Sequence, residues 1–384
     1  MSSPTGPFAR ELELALQAVH RTSIVTKDVL RSLKNGVAGE TKADDSPVTL
    51  ADFAAQALII SAIHAVFPSD SFLGEESADA LRTHHGLRSR VWDLVRSAPT
   101  VELHADGGSG NGSGSAASAS SSSPLAVPES EDAMLELIDL GGKNDQTATG
   151  RVWILDPIDG TATFMEGKQY SVALCLLVDG VQRVAVTGCP NLLRDFEAPH
   201  HKIIEDQVDT EGYGVAVSAV QGEGVFLRPM LRNGLGTPRR LQPALKKEQT
   251  ALNELDFVEP TPKYKTTLSV SEHKAVAELL GAPWPGTLLW SQHLKYVAVA
   301  LGAVDVQVRI PTGRDRWTQI WDHAGGNLLV QESGGIVKDI DGGDFDFTQG
   351  RRLLGTRNFG SIIARPEVYE KVHEAVQEIL KRRS

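Results

Sequence analysis

The chain has only two cysteines in 384 residues, too few for the disulfide framework of a small secreted domain. Cys175 lies inside an apolar, strand-like run, so reduced thiols and a reducing, cytoplasmic compartment are expected. No stretch is long and apolar enough to cross a bilayer. The N-terminus also lacks the unbroken apolar core of a secretory signal. Glu11, Glu13 and Arg21 interrupt it, and Leu12, Leu16, Val19, Leu30 and Leu33 mark one face of an amphipathic helix instead. Positive charge is short as well. With 38 Lys and Arg against 49 Asp and Glu, the formal net charge is −11, which speaks against general nucleic-acid binding. It leaves room for a phosphorylated small molecule held by local cations. There is no Gly-x-x-x-x-Gly-Lys-Ser/Thr loop to suggest an NTPase. Oligomeric state stays open, a monomer included.

Against these absences stands Asp156-Pro157-Ile158-Asp159-Gly160-Thr161, directly after the apolar run Val152–Leu155, which reads as a buried strand. Two carboxylates within four residues, on a segment stiffened by proline, suit a hard divalent cation such as Mg²⁺. Gly160 and Thr161 follow, where backbone N–H groups can face an anion. An ordinary acidic turn would look similar over so short a stretch. Three other segments extend the pattern. Asp52 opens an apolar helical stretch (Ala51 to Phe67), Glu75-Glu76 follows a short apolar strand, and Asp322 precedes another helix. Helix-end capping alone accounts for Asp52 or Asp322, but not for all four segments together.

In order and in content these segments resemble the lithium-sensitive, Mg²⁺-dependent phosphomonoesterases of the inositol monophosphatase superfamily. Within it, the chain is most similar to the eukaryotic 3′(2′),5′-bisphosphate nucleotidases, which convert 3′-phosphoadenosine 5′-phosphate (PAP) into AMP. The likeness begins with the N-terminal helix and Asp45-Ser46-Pro47-Val48-Thr49. It continues through Gly188-Cys189-Pro190-Asn191, Ser291-Gln292, Lys295-Tyr296 and Val308-Arg309-Ile310-Pro311.

The resemblance implies an α/β fold, the layered αβαβα sandwich of that superfamily, and two to three Mg²⁺ ions. It implies that Glu75, Asp156 and the Ile158 carbonyl hold one ion, and that Asp156, Asp159 and Asp322 hold a second. Glu75 is also implied in a third, weaker site. Asp52 and Thr161 are implied to orient and deprotonate the attacking water, the Gly160 and Thr161 amides to bind phosphate, and Ser291, Lys295, Arg309 and Asp322 to contact the nucleotide. The implied partner is PAP or PAPS. Inositol 1,4-bisphosphate is the competing substrate, and a catalytically silent sensor of a phosphorylated metabolite is the competing role. Phosphatases that form an aspartyl-phosphate use Asp-x-Asp-Gly-Thr; the extra residue between Asp156 and Asp159 disagrees with that geometry.

The chain departs from the nucleotidase pattern in two places. Ser291-Gln292-His293-Leu294-Lys295-Tyr296 is one residue longer than the family's Ser-Gln-Ala-Lys-Tyr. The family's Gly-His-Ser-Ser element is not recognisable between Val258 and His273, where His273 is a substitute candidate or a structural histidine.

Helical and strand-like segments alternate along the rest. Tyr170–Val178, Asp179-Gly180 and Val181–Thr187 read as a β-hairpin. A helix from about Asp322 ends at Gly334-Gly335, and Ile336-Val337 and Ser361–Ala364 read as strands. Pro366 suits the first turn of a last helix. An N-terminal metal-binding part (1–215) and a C-terminal part completing the substrate pocket (216–384) are expected. Asp106–Ser123, nearly all Gly, Ser, Ala and Asn, reads as a flexible surface insertion without a chemical role. Leu192–Tyr213, polar and charged, reads as loop.

Overall fold

The computed structural model describes residues 6–33, 40–41, 47–48, 50–104, 122–144, 149–193, 202–242 and 251–383. Of Asp45–Thr49, only Pro47 and Val48 are among them, and the Gly/Ser-rich segment lies outside them as far as residue 121. Ser122–Pro124 pairs in antiparallel register with Glu102–His104. The end of the expected loop is therefore strand, because ladder pairing uses backbone groups and needs no large side chain. The described part of the expected loop after Leu192, residues 202–213, contains neither helix nor strand.

The core is a large sheet built around the hairpin. Ser171–Val178 and Val181–Cys189 run antiparallel, joined by Asp179 (φ 50°) and Gly180 (φ 78°). Two successive positive φ angles make the tight turn whose twist matches its flanking strands. Val215–Val220 and Gly224–Leu231 extend the sheet on one side, so strand pairing continues past residue 215. On the other side Arg151–Asp159 pairs antiparallel with Ser171–Val178 and parallel with Ser71–Gly74. A second, three-stranded sheet is formed by Val306–Arg309, Ser361–Ala364 and Ile336–Lys338, all antiparallel.

Helices cover both sheets. Ala9–Leu33 and Leu50–Val66 pack on one face of the large sheet, and Gln292–Ala300 and Ala324–Glu332 lie between the two sheets. Val270–Leu280 and Pro366–Lys381 cover the outer face of the small sheet. The order is helix, sheet, helix, sheet, helix: the αβαβα sandwich expected from the sequence. Leu50–Val66 is apolar on nearly every side because other helices and the sheet surround it. Among the described residues no helix is long and apolar enough to cross a membrane. Cys175 and Cys189 are free and buried, and burial pushes both thiols up from their ordinary range.

Arg21, which interrupts the apolar N-terminal positions, and the Gly-Cys-Pro-Asn stretch are packing devices. Arg21 is buried and donates to the carbonyls of Leu58 at 2.8 Å, Ala126 at 3.0 Å and Leu125 at 3.1 Å. It thus ties the N-terminal helix to the chain that follows the Gly/Ser-rich segment. Gly188 opens the Gly-Cys-Pro-Asn stretch where a Cβ would come within 2.5 Å of Ser23 Oγ. Asn191 closes it, accepting from the buried Lys27 amine and donating to the Lys168 carbonyl.

Candidate active site

In a regular strand Asp156 and Asp159, an odd number of residues apart, would face opposite sides of the sheet. They do not, because the register with Ser171–Val178 shifts between Asp156 and Asp159. The bulge at Pro157-Ile158 turns both carboxylates towards one point. Asp322, in the short 3₁₀ turn before the Ala324–Glu332 helix, meets them there. One oxygen from each of Asp156, Asp159 and Asp322 lies within 4.8 Å of the others. Asp156 and Asp159 are buried and Asp322 is half-buried.

Such crowding is costly for ionised groups. Burial, then Glu75, Asp159, Asp322 and Asp52, hold the Asp156 carboxyl well above the usual carboxylate range. Burial, followed by Asp159, pushes Asp322 to about 7. Glu75 and Asp52 are therefore part of the same electrostatic cluster. Asp156 Oδ1 is buried and finds no hydrogen-bond donor among the described residues. An all-oxygen donor set, crowded and with an orphaned buried carboxylate oxygen, fits a hard divalent cation.

Each carboxylate is placed by an identifiable device. Asp52 stands in the first turn of the Leu50–Val66 helix. One helical turn on, the Gln56 amide donates to the Glu76 carbonyl at 2.6 Å and accepts from the Glu76 N–H at 2.9 Å, clamping the glutamate turn. Arg351 braces the same turn from the far end of the chain, donating to the Gly74 and Gly141 carbonyls, both at 2.8 Å. Asp322 lies beside His323, whose ring pairs with Tyr296 Oη at 2.8 Å and Thr318 Oγ1 at 2.9 Å. Burial holds that imidazole neutral, well below its ordinary value.

Gly160 links the Arg151–Asp159 strand to the short Thr161–Met165 helix. Its φ is +90°, and a Cβ there would lie 2.9 Å from Thr163 Oγ1 and 3.1 Å from Ser291 Cβ. Backbone conformation and close packing both require glycine. The Thr161 hydroxyl donates to the Ile158 carbonyl at 3.1 Å.

Of the expected nucleotide contacts, Ser291 is buried and serves as helix cap, accepting from the Leu294 N–H at 3.2 Å and donating to Asp159 Oδ2. Lys295 is buried with its amine on the Trp290 carbonyl at 2.8 Å. Burial, then the neighbouring Arg309, lowers it to about 8. Arg309 donates to Gln292 Oε1, and burial lowers its guanidinium too, against the pull of nearby Asp322. His273 is structural. Its Nε2 accepts from the Ile310 N–H at 2.9 Å, so Nδ1 carries the proton and donates to Glu259 at 2.7 Å. The sequence reading missed Gln56, Arg351, Ser171 and the Gln292 and His293 amides. All five act through contacts distant in sequence, for which no local pattern exists.

The Inositol monophosphatase family model matches residues 122–381. Over 97% of its length the chain is 37% identical to a 3′(2′),5′-bisphosphate nucleotidase of Emericella nidulans, covering 99% of that protein. It is also 37% identical to one from Schizosaccharomyces pombe, over 96% of this chain and 95% of that one. Among solved structures, the Thermotoga maritima IMPase superposes with a TM-score of 0.56 at 19% identity, over 97% of this chain and 99% of that one. The extragenic suppressor protein suhB of Bartonella henselae gives 0.58 at 18%, over 96% of this chain and 99% of that one. These two likenesses bear on the fold alone.

Proposed function

Because the chain belongs to the inositol monophosphatase family, we propose that it is a Mg²⁺-dependent 3′(2′),5′-bisphosphate nucleotidase. It hydrolyses the 3′-phosphate of PAP to give AMP and phosphate, with PAPS as a second substrate. The observation that carries the chemistry is the meeting of Asp156, Asp159 and Asp322 within 4.8 Å, beside the Gly160-Thr161 turn. Glu75, Asp156 and the Ile158 carbonyl would hold one Mg²⁺, Asp156, Asp159 and Asp322 would hold a second, and Glu75 would contribute to a third, weaker one. When bound, Mg²⁺ supplies a Lewis acid that makes water a nucleophile at neutral pH and stabilises the leaving oxygen.

The remaining work falls to the protein's own groups. The Thr161 hydroxyl turns from the Ile158 carbonyl to give its proton to Asp52 and takes the proton of the attacking water in its place, so that Asp52 is the base. The Gly160 and Thr161 N–H groups bind phosphate oxygens. Water attacks phosphorus in line, the bond from phosphorus to the 3′-oxygen breaks, that oxygen leaves as the 3′-hydroxyl of AMP with a proton from solvent water, and no phosphoenzyme forms. Arg309, beside Asp322, supplies charge for the second phosphate. Lys295 adds its field from behind, since its amine is tied to the Trp290 carbonyl. Ser291 acts on the nucleotide side through the helix it caps. A cytoplasmic, reducing setting suits the two buried free thiols.

The test is phosphate release with Mg²⁺ from PAP, PAPS, inositol 1,4-bisphosphate and inositol 1-phosphate. PAP is expected to be preferred, and Arg309→Ala is expected to raise KM for PAP by about one to two decades, the weight of a charge-assisted bond. Preference for the inositol bisphosphate, or an equal loss on the monophosphate, would overturn the nucleotidase reading. No turnover at all would support the sensor.

A further inference from the structure

Asp159 accepts hydrogen bonds unevenly on its two oxygens. Oδ2 takes the Ser291 hydroxyl, the His293 N–H at 2.6 Å and the Ser171 hydroxyl at 3.1 Å. Among the described residues Oδ1 takes one donor, the Gln292 N–H at 3.0 Å. An ionised carboxylate offers about two lone-pair sites per oxygen. Three donors therefore saturate Oδ2, whereas Oδ1 keeps a site free.

Both hydroxyls are fully buried. Ser291 Oγ accepts from the Leu294 N–H at 3.2 Å and donates its only proton to Asp159 Oδ2. Ser171 stands directly opposite Asp159 in the strand ladder, beyond the bulge, and its Oγ is 3.1 Å from that of Ser291. The two serines come from different elements, the hairpin strand and the helix cap. Together they fix one carboxylate oxygen from two directions.

We propose that Ser171 and Ser291 are positioning residues that commit Asp159 Oδ2 to the protein, so that Asp159 takes a divalent cation through Oδ1 alone. The inference rests on Asp159 being a cation ligand, as proposed above. It explains why the longer Ser291–Tyr296 segment keeps its first turn on Asp159. The Gln292 and His293 amides occupy the carboxylate, and the His293 ring donates to the Trp321 carbonyl at 2.7 Å, next to Asp322. One helix start thus registers two of the three clustered carboxylates. Without the Ser171 hydroxyl, Oδ2 regains a lone pair and Asp159 can rotate between one-oxygen and two-oxygen contact. Groups that orient a metal ligand in this way are commonly worth about 10- to 100-fold in metal affinity.

Mn²⁺ binding to the full chain without substrate, followed by electron paramagnetic resonance and calorimetry, tests this apart from turnover. Ser171→Ala is expected to bind Mn²⁺ about 10- to 100-fold more weakly at one class of site. Its Mn²⁺-free melting temperature should stay close to that of the wild type, and Ser171→Thr should recover affinity. Asp159→Asn is expected to lose that class of site. If Ser171→Ala binds like the wild type while Asp159→Asn loses the site, the positioning role is overturned and the cation reading survives. If Asp159→Asn also binds like the wild type, the cation reading falls, and the positioning role with it. Should Ser171→Ala fail to fold, Ser171→Cys, a weaker donor of similar shape, replaces it. Undiminished Mn²⁺ affinity in that variant overturns the proposal.

Discussion

Glu205 shows how much a single buried carboxyl can decide. It accepts from the Trp290 N–H at 2.9 Å, one residue before the Ser291 cap, while Oε2 finds no donor among the described residues. Burial pushes its pKa to about 7, against the partly compensating Trp290 bond. The sign follows from proton counting. Between the ordinary value of 4.5 and about 7, the folded protein holds a proton that the unfolded chain has released. The group's contribution is therefore fully present below that window and is lost as pH rises through it. The span corresponds to on the order of 3 kcal/mol. Urea unfolding of wild type and Glu205→Gln at pH 4.5 and pH 8 should show a loss larger in the wild type by about that amount, the contribution of other buried carboxyls such as Asp322 being common to both. Parallel pH dependences would refute it. Nothing in the sequence marks Glu205, because its stretch reads as polar loop and its partners lie 56 and 85 residues away. Asp156 and Asp159 were legible for the opposite reason: their chemistry is written in adjacent positions.

The elements were largely legible because their signals are local. Apolar runs, the Asp179-Gly180 turn and Pro366 each act within a few residues, and the strands and the last helix appear where those signals place them. What the sequence does not carry is how closely two elements approach. Gly326, on the Ala324–Glu332 helix, reads as an ordinary helix glycine, yet a Cβ there would lie 2.3 Å from the Tyr296 ring. Tyr296 in turn holds His323, the neighbour of Asp322. Gly326→Ala must therefore push apart the two helices between the sheets. We expect a destabilisation of about 1–3 kcal/mol, as for other overpacked cores, and a fall in kcat of up to about a hundredfold in the folded protein. Gly343→Ala, with nothing within 4 Å of its Cβ, is the control. Thermal melts and single-substrate kinetics on both variants decide the matter. Equal behaviour would mean that the helix pair absorbs the extra methyl without moving Asp322.

At the scale of the whole molecule, chain length away from the site costs little, and charge at the site costs much. His104 pairs with Ser122 across the Gly/Ser-rich segment, so its two ends are already close. Replacing residues 106–121 with a short Gly-Ser linker should leave melting temperature and turnover unchanged, since closure entropy varies slowly with length. The carboxylate cluster is the contrary case. Asp52, Glu75, Asp156 and Asp159 come from the first half of the chain and Asp322 from the second. Folding therefore brings like charges together inside a protein that already carries a net charge of −11. Asp322, at about 7 when folded against 3.8 otherwise, contributes stability only while it holds its proton, so the cation-free protein weakens as pH rises from about 4 to about 7. Asp322→Asn removes that penalty. In chelator at pH 8 the variant should be more stable than the wild type, by on the order of 2–4 kcal/mol. Mg²⁺ acts in the other direction: at 1,000 times its Kd a ligand of the folded state adds about 4.1 kcal/mol, and only the wild type keeps the full set of carboxylates proposed to hold it. Urea unfolding with and without Mg²⁺ should therefore rank the two proteins in opposite orders, while phosphate release collapses in the variant under both conditions. A variant less stable than the wild type in chelator would mean that the three carboxylates are already neutralised by groups of the protein itself, and that their convergence serves the fold before it serves a cation.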